Sequence, residues 1–143
     1  METAIRIIEQ KPLVAEFLAL RSAVQWRNPT IDTAAAALDG SLYCVCMRTQ
    51  DKLVAFGRVI GDGSFNFYIQ DLIVDPGHQG KGFGKTIMRH LMRYIEATGG
   101  EDAVIGLMAA DGAVGFYEQF GFTSRPENAP GMQRSPVFRR KAE

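Results

Sequence analysis

The stretch that most restricts what this chain can fold into is residues 77–86, GHQGKGFGKT. It sets four glycines, two lysines and a threonine between an apolar run ending at Val74 and a helix-like run that begins near Phe83. Glycine at this density neither extends a strand nor sustains a helix, because it loses backbone entropy and has no side chain to pack. The segment is therefore a strand-to-helix turn whose main chain can approach a bound group closely. A helix N-terminus leaves N–H donors unpaired and carries partial positive charge, so it favours an anion, and phosphate above all.

Three glycine-rich patterns compete for this turn. The nucleotide-triphosphate loop G-x-x-x-x-G-K-[ST] ends well on Gly84-Lys85-Thr86 but needs glycine where Gln79 stands. The dinucleotide fingerprint G-x-G-x-x-G needs glycine at Lys85 when started at Gly80, and at Ile87 when started at Gly82. The third, Q/R-x-x-G-x-G/A, is met in full by Gln79, Gly82 and Gly84. That pattern, after an apolar strand and before a helix, resembles the pyrophosphate loop of the GNAT (Gcn5-related) N-acetyltransferases. A second stretch, GFYEQFGF at 115–122, is similar to the family's [FL]-Y-E-x-[FL]-G-F and lies at a typical distance after the loop. The bulk properties agree with such a protein. A chain of 143 residues suits one domain spanning 1–143. Sixteen basic residues balance sixteen acidic ones, so no net charge draws it to nucleic acid or a membrane surface, and a small-molecule partner is expected. No apolar run approaches membrane-spanning length and charges interrupt the N-terminal region, which makes the cytoplasm the expected compartment.

Periodicity gives the remaining elements. Ile5 to Ile8 reads as a first strand, followed by a helix with Leu13, Phe17, Leu20 and Val24 on one face and an alanine-rich helix from Ile31 to Leu38. Three strands follow, Leu42–Arg48, Leu53–Ile60 and Phe65–Val74, then an amphipathic helix carrying Ile87, Leu91 and Ile95. Val104–Ala109 is a further strand, Val114–Phe120 a short helix closed at Gly121, and Phe122 starts a last strand before a tail broken by Pro126, Pro130 and Pro136. The order is that of a GNAT fold, an α/β domain with a mixed, mostly antiparallel sheet flanked by helices and splayed at its central strands. Cys44 and Cys46 would face one side of a strand, roughly 6.5–7 Å apart at Cα, near the outer limit for a bridge. With only His78 and His90 besides, they read as core thiols, and no metal site is expected.

The resemblance also implies roles for individual residues. Acetyl-CoA is the expected acetyl donor. Gln79, Gly80, Lys81, Gly82, Phe83, Gly84 and Lys85 would hold its diphosphate, while backbone groups of Leu72, Ile73 and Val74 would pair with its pantetheine arm like an added strand. An N–H near Leu72 would polarise the thioester carbonyl. Phe116 would border the arm, and Tyr117 would protonate the departing thiolate. Many relatives carry a glutamate base in the central strand, whereas here that place holds Gln70, which cannot titrate. Asp71 follows, but strand alternation sends it to the other face unless a bulge intervenes. Water held by Gln70 is the expected route for the acceptor's proton, with Asp71 the other candidate. Trp26 and Gln70 would border the acceptor, a small-molecule amine, together with Gln25, Arg27 and residues 128–132. Residues 106–112, GLMAADG, look like a bacterial and plastid subgroup labelled serotonin- or arylalkylamine-acetyltransferase-like. A homodimer is a family expectation. The readings are thus an acetyl-CoA-dependent N-acetyltransferase, a CoA-binding sensor without turnover, or an unrelated nucleotide-binding module.

Overall fold

A computed structural model describes residues 4–134, and the chain forms two compact units, one through Met108 and one from Ala109. The first holds strands β1 (Arg6–Ile8), β2 (Tyr43–Thr49), β3 (Lys52–Gly61), β4 (Asn66–Val74) and β5 (Val104–Leu107) in one sheet of spatial order β1-β2-β3-β4-β5. The first four strands pair antiparallel through short connections, the tightest being Gln50 and Asp51, both at positive φ between the paired residues Thr49 and Lys52. Positive φ at both turn residues matches the twist of a two-residue hairpin. β5 runs parallel to β4, a geometry that requires a crossover, and helix α3 (Phe83–Thr98) supplies it.

Helices cover both faces of the sheet. Helix α1 (Val14–Ala23) and helix α2 (Ile31–Asp39) bury Phe17, Leu20, Ala34 and Leu38 against Cys44, Cys46, Leu53, Phe56 and Ile73. The opposite face takes the α3 stripe Ile87, Met88, Leu91 and Ile95, none more than 1% exposed. Close approach there depends on Gly57, where a Cβ would lie 2.6 Å from the Ile87 Cγ2. Thr30 caps α2 by accepting from the Thr33 N–H, and a forked pair from Arg48 to Glu16 (2.6 and 2.7 Å) anchors α1 to β2. Leu13 departs from the apolar face that its spacing suggests. It is the residue that caps α1 and is 71% exposed, so the buried stripe begins at Phe17.

The second unit differs from the sequence-based expectation at two points. Helix α4 (Val114–Glu118) ends before Phe120, because the Phe120 and Gly121 N–H groups donate to Tyr117 and Glu118 three residues back, which tightens the final turn. No strand forms from Phe122 through Arg134. Those residues run through turns, with Pro126 and Pro130 removing main-chain donors and the Ala129 carbonyl accepting from Arg125 Nε at 3.0 Å. Pro136 lies outside the described residues.

Candidate active site

After β4 the chain makes a single 3₁₀ turn, Pro76–His78, before the glycine segment. Asp75 organises this turn, accepting from the Gly77 N–H (3.2 Å) and facing His78 Nδ1 (3.0 Å), while the His78 ring stacks on Phe83. The hydrogen bond with His78, followed by the charge of Lys52, holds the Asp75 carboxyl below its ordinary range. His78 is therefore a brace of the loop. Gln79 is another, since its Nε2 donates to the Val74 carbonyl at 3.0 Å. That bond occupies one of the two amide donors expected to reach phosphate and also uses the carbonyl of Val74.

The segment then opens. Gly80 and Gly82 sit at φ 79° and 84°, a region that strongly favours glycine, and a Cβ at either would meet nothing within 4 Å. Gly82 is the N-cap of α3 and supplies no side-chain cap, so the first turn of α3 presents the N–H groups of Phe83, Gly84 and Lys85 without intrahelical partners. Lys81 and Lys85 add positive charge beside them. An uncapped helix start opening onto free space, with two lysines beside it, fits a diphosphate in sign and in room for close approach.

β4 leads into this loop with one edge open. Its parallel pairing to β5 covers Asn66 to Ile69 and stops where Ile69 meets Leu107. From Gln70 to Val74, β4 pairs with β3 on one side, and no described strand pairs it on the other. This is the splay foreseen from the sequence. The edge offers Leu72, Ile73 and Val74 as backbone partners for an extended, amide-bearing arm.

Opposite that edge the ladder breaks. Gln70 pairs with Arg58 and Ile73 with Phe56, so Asp71 and Leu72 together face Gly57, and Asp71 takes φ 56°. The extra residue turns Asp71 to the same face as Gln70, the face under α1 and α2. Among the described residues Asp71 is the one buried charged residue, at 5% exposure. Its Oδ1 accepts from Arg21 Nη1 (2.5 Å) and its Oδ2 from Arg58 Nε (2.8 Å). Both carboxylate oxygens are thus engaged by guanidinium groups. Gln70 is half-buried, and among the described residues no hydrogen bond engages its amide.

Arg21 and Arg58 are the residues the sequence reading missed. Arg58 was detectable as the lone charge in the apolar run Val54–Ile60, whereas Arg21 looked like an ordinary exposed helix residue. Trp26 is partly buried against the α1 and α2 core, and the Arg21 guanidinium lies over its ring at 5.4 Å, so a cation already occupies one face. In the second unit Tyr117 packs edge-on to Phe116 (5.1 Å) and Phe122 (6.2 Å). Burial pushes its hydroxyl above the ordinary value of about 10. Cys44 and Cys46 are free and buried, and burial pushes the Cys46 thiol up to about 12. Among the described residues no group of three His, Cys, Asp or Glu is placed to hold a metal, and no helix is long and apolar enough to cross a membrane.

Fold, unpaired strand edge and glycine loop together fit an acetyltransferase type of domain, and comparison with known proteins agrees on that class. Residues 7–122 match the profile of the Acetyltransferase (GNAT) family, and the chain belongs to that family. It is 37% identical over 111 residues to GCN5-related N-acetyltransferase 1, chloroplastic, of Arabidopsis thaliana, a match spanning 78% of this chain and 53% of that protein. It is also 39% identical over 79 residues to Serotonin N-acetyltransferase 2, chloroplastic, of Oryza sativa subsp. japonica, covering 55% of this chain and 38% of that one. The chain thus spans about half the length, or less, of these curated relatives. Among solved structures, a probable acetyltransferase from meticillin-resistant Staphylococcus aureus superposes with a TM-score of 0.87 at 31% identity, covering 92% of this chain and 99% of the other.

Proposed function

We propose that this chain moves the acetyl group of acetyl-CoA to the primary amine of a small molecule by direct transfer in a ternary complex. The observation that carries the reading is the unpaired β4 edge, Gln70 to Val74, running into an uncapped, glycine-lined helix start. When bound there, acetyl-CoA supplies an activated acyl group as a thioester. The main chain of residues 80–85 with Lys81 and Lys85 holds the diphosphate, and Leu72, Ile73 and Val74 align the arm. The bulge turns the Leu72 N–H out of the regular β3 ladder, available to a carbonyl oxygen on which charge develops. The new C–N bond forms as the C–S bond breaks. Tyr117 donates its proton to the departing sulfur, and the ammonium proton leaves through water held by Gln70. Asp71 is assigned no proton transfer, because two arginines engage its carboxylate. In this reading residues 1–143 act as one transferase domain, cytoplasmic, homodimeric and independent of metal.

The test is incubation with acetyl-CoA and a panel of amines, following free thiol release. Acetyl-CoA binding with no release for any amine would favour the CoA-binding sensor, and no binding would remove the reading. Within an active enzyme, Tyr117→Phe should leave acetyl-CoA affinity in place while turnover falls roughly 10²–10⁴-fold. Because burial raises the Tyr117 pKa, the acid keeps its proton to higher pH than an exposed tyrosine would, so wild-type rates should climb into the alkaline range before declining. An unchanged rate in Tyr117→Phe, measured where chemistry limits, would show that the thiolate leaves without this proton.

A further inference from the structure

The acetyl donor's half of the proposed site is built from main chain, but the other half hangs on one buried carboxylate. Asp71 has a side chain only 2% exposed, and its partners Arg21 and Arg58 are 17% and 12% exposed. Each arginine turns two further hydrogen bonds to a different segment. Arg21 Nη2 donates to the Arg27 carbonyl (2.6 Å) and Nε to Asn28 Oδ1 (3.1 Å), while Asn28 Nδ2 donates back to the Leu18 carbonyl and Ser22 Oγ. Arg58 Nη1 donates to the Ala37 carbonyl (3.2 Å) and Ser41 Oγ (3.1 Å), at the C-terminal end of α2. One carboxylate therefore ties the bulge in β4 to the loop after α1 and to the end of α2.

We propose that the Arg21–Asp71–Arg58 cluster fixes the acceptor side of the site. Asp71 is a positioning residue that holds Gln70 in register with the Gln25–Asn28 loop and the end of α2, and thereby governs amine binding and turnover, while acetyl-CoA affinity rests chiefly on the glycine loop. The inference rests on the acetyltransferase reading. Its physical basis is the positive φ of Asp71, a conformation that a non-glycine residue holds only when its surroundings over-determine it. The two guanidinium groups supply that constraint from α1 and β3. None of the cluster's hydrogen bonds reaches residues 77–85, so it makes no direct tie to the diphosphate loop. Arginine suits the task because its planar fork orients the carboxylate and still has donors left over.

The experiment compares wild type with Asp71→Asn and Arg21→Lys, using acetyl-CoA and an amine the wild type acetylates. The expected result is that kcat/KM for the amine falls at least about tenfold in both variants while the acetyl-CoA Kd stays within about twofold. The shape of the pH–rate profile should not change. Amide hydrogen exchange should quicken at 25–28 and 70–72 and stay the same at 77–85. Unchanged amine kinetics would overturn the proposal, as would a parallel loss of acetyl-CoA affinity, which would mean a general scaffold. Loss of the rising limb of the profile in Asp71→Asn would make Asp71 a base and overturn it too. If neither variant folds, the cluster is a stability element and the proposal falls. If wild type acetylates no amine, the acetyltransferase reading fails first, and the exchange pattern still decides whether the cluster couples the three segments.

Discussion

The glycine loop and the β4 bulge are near neighbours in the chain and are built on opposite physical plans. The loop shapes itself with backbone conformation, placing Gly80 and Gly82 at positive φ and leaving main-chain donors facing open space. The bulge also uses positive φ, but at an aspartate, and two arginines drawn from other elements hold it. A site made of main chain tolerates changes in side-chain charge and is intolerant of added bulk. A site made of buried ion pairs is the reverse, because deleting one member leaves the others desolvated without partners.

The largest effect that would break this contrast is on stability. Asp71→Ala strands two partly buried guanidinium groups and should lower unfolding free energy by about 3 kcal/mol in urea melts. A loss below about 1 kcal/mol would mean that water replaces the carboxylate and that the bulge holds itself. Next comes donor binding. Gly82→Val puts a branched side chain at φ 84° beside the main-chain donors that start α3, so acetyl-CoA affinity by calorimetry should fall at least about 100-fold, roughly 2.7 kcal/mol. Lys81→Ala removes only a solvated charge and should weaken binding by on the order of 1 kcal/mol, less at high salt. Tight binding by Gly82→Val would end the loop assignment.

The smallest effect calibrates the ion pairs. The hydrogen bond from Arg48 holds the Glu16 carboxyl below its ordinary range, so its folded pKa lies below its unfolded one. The pair's stabilisation is present above the unfolded pKa and is lost as pH falls through the folded value. Glu16→Gln should therefore cost about 1 kcal/mol near pH 7 and progressively less below about pH 4. A penalty that persists unchanged at acid pH would assign the effect to packing.

Much of this was legible in the chain. The glycine pattern and the apolar stripe of α3 are local, and so is the motif that contains Tyr117. Leu13 was misplaced because helical spacing continues past a helix end, and only cap geometry shows where the helix begins. The strand anticipated after Phe122 failed for a different reason: apolar residues there invite a ladder, but prolines remove donors and no described strand pairs with them.

The sequence by itself determined where main-chain donors would be presented, since φ preference and helix starts depend on a few adjacent residues. Whether Asp71 could serve as a base was beyond its reach. It did show that Gln70 cannot titrate and that a bulge was needed to bring Asp71 onto the same face. Tertiary structure decided that bulge, which appears only once β4 is registered against β3. The carboxylate's partners, Arg58 thirteen and Arg21 fifty residues away, come into reach only when α1 lies across that face. Long-range ion pairing is set by packing, and the spacing of residues along the chain carries no record of it.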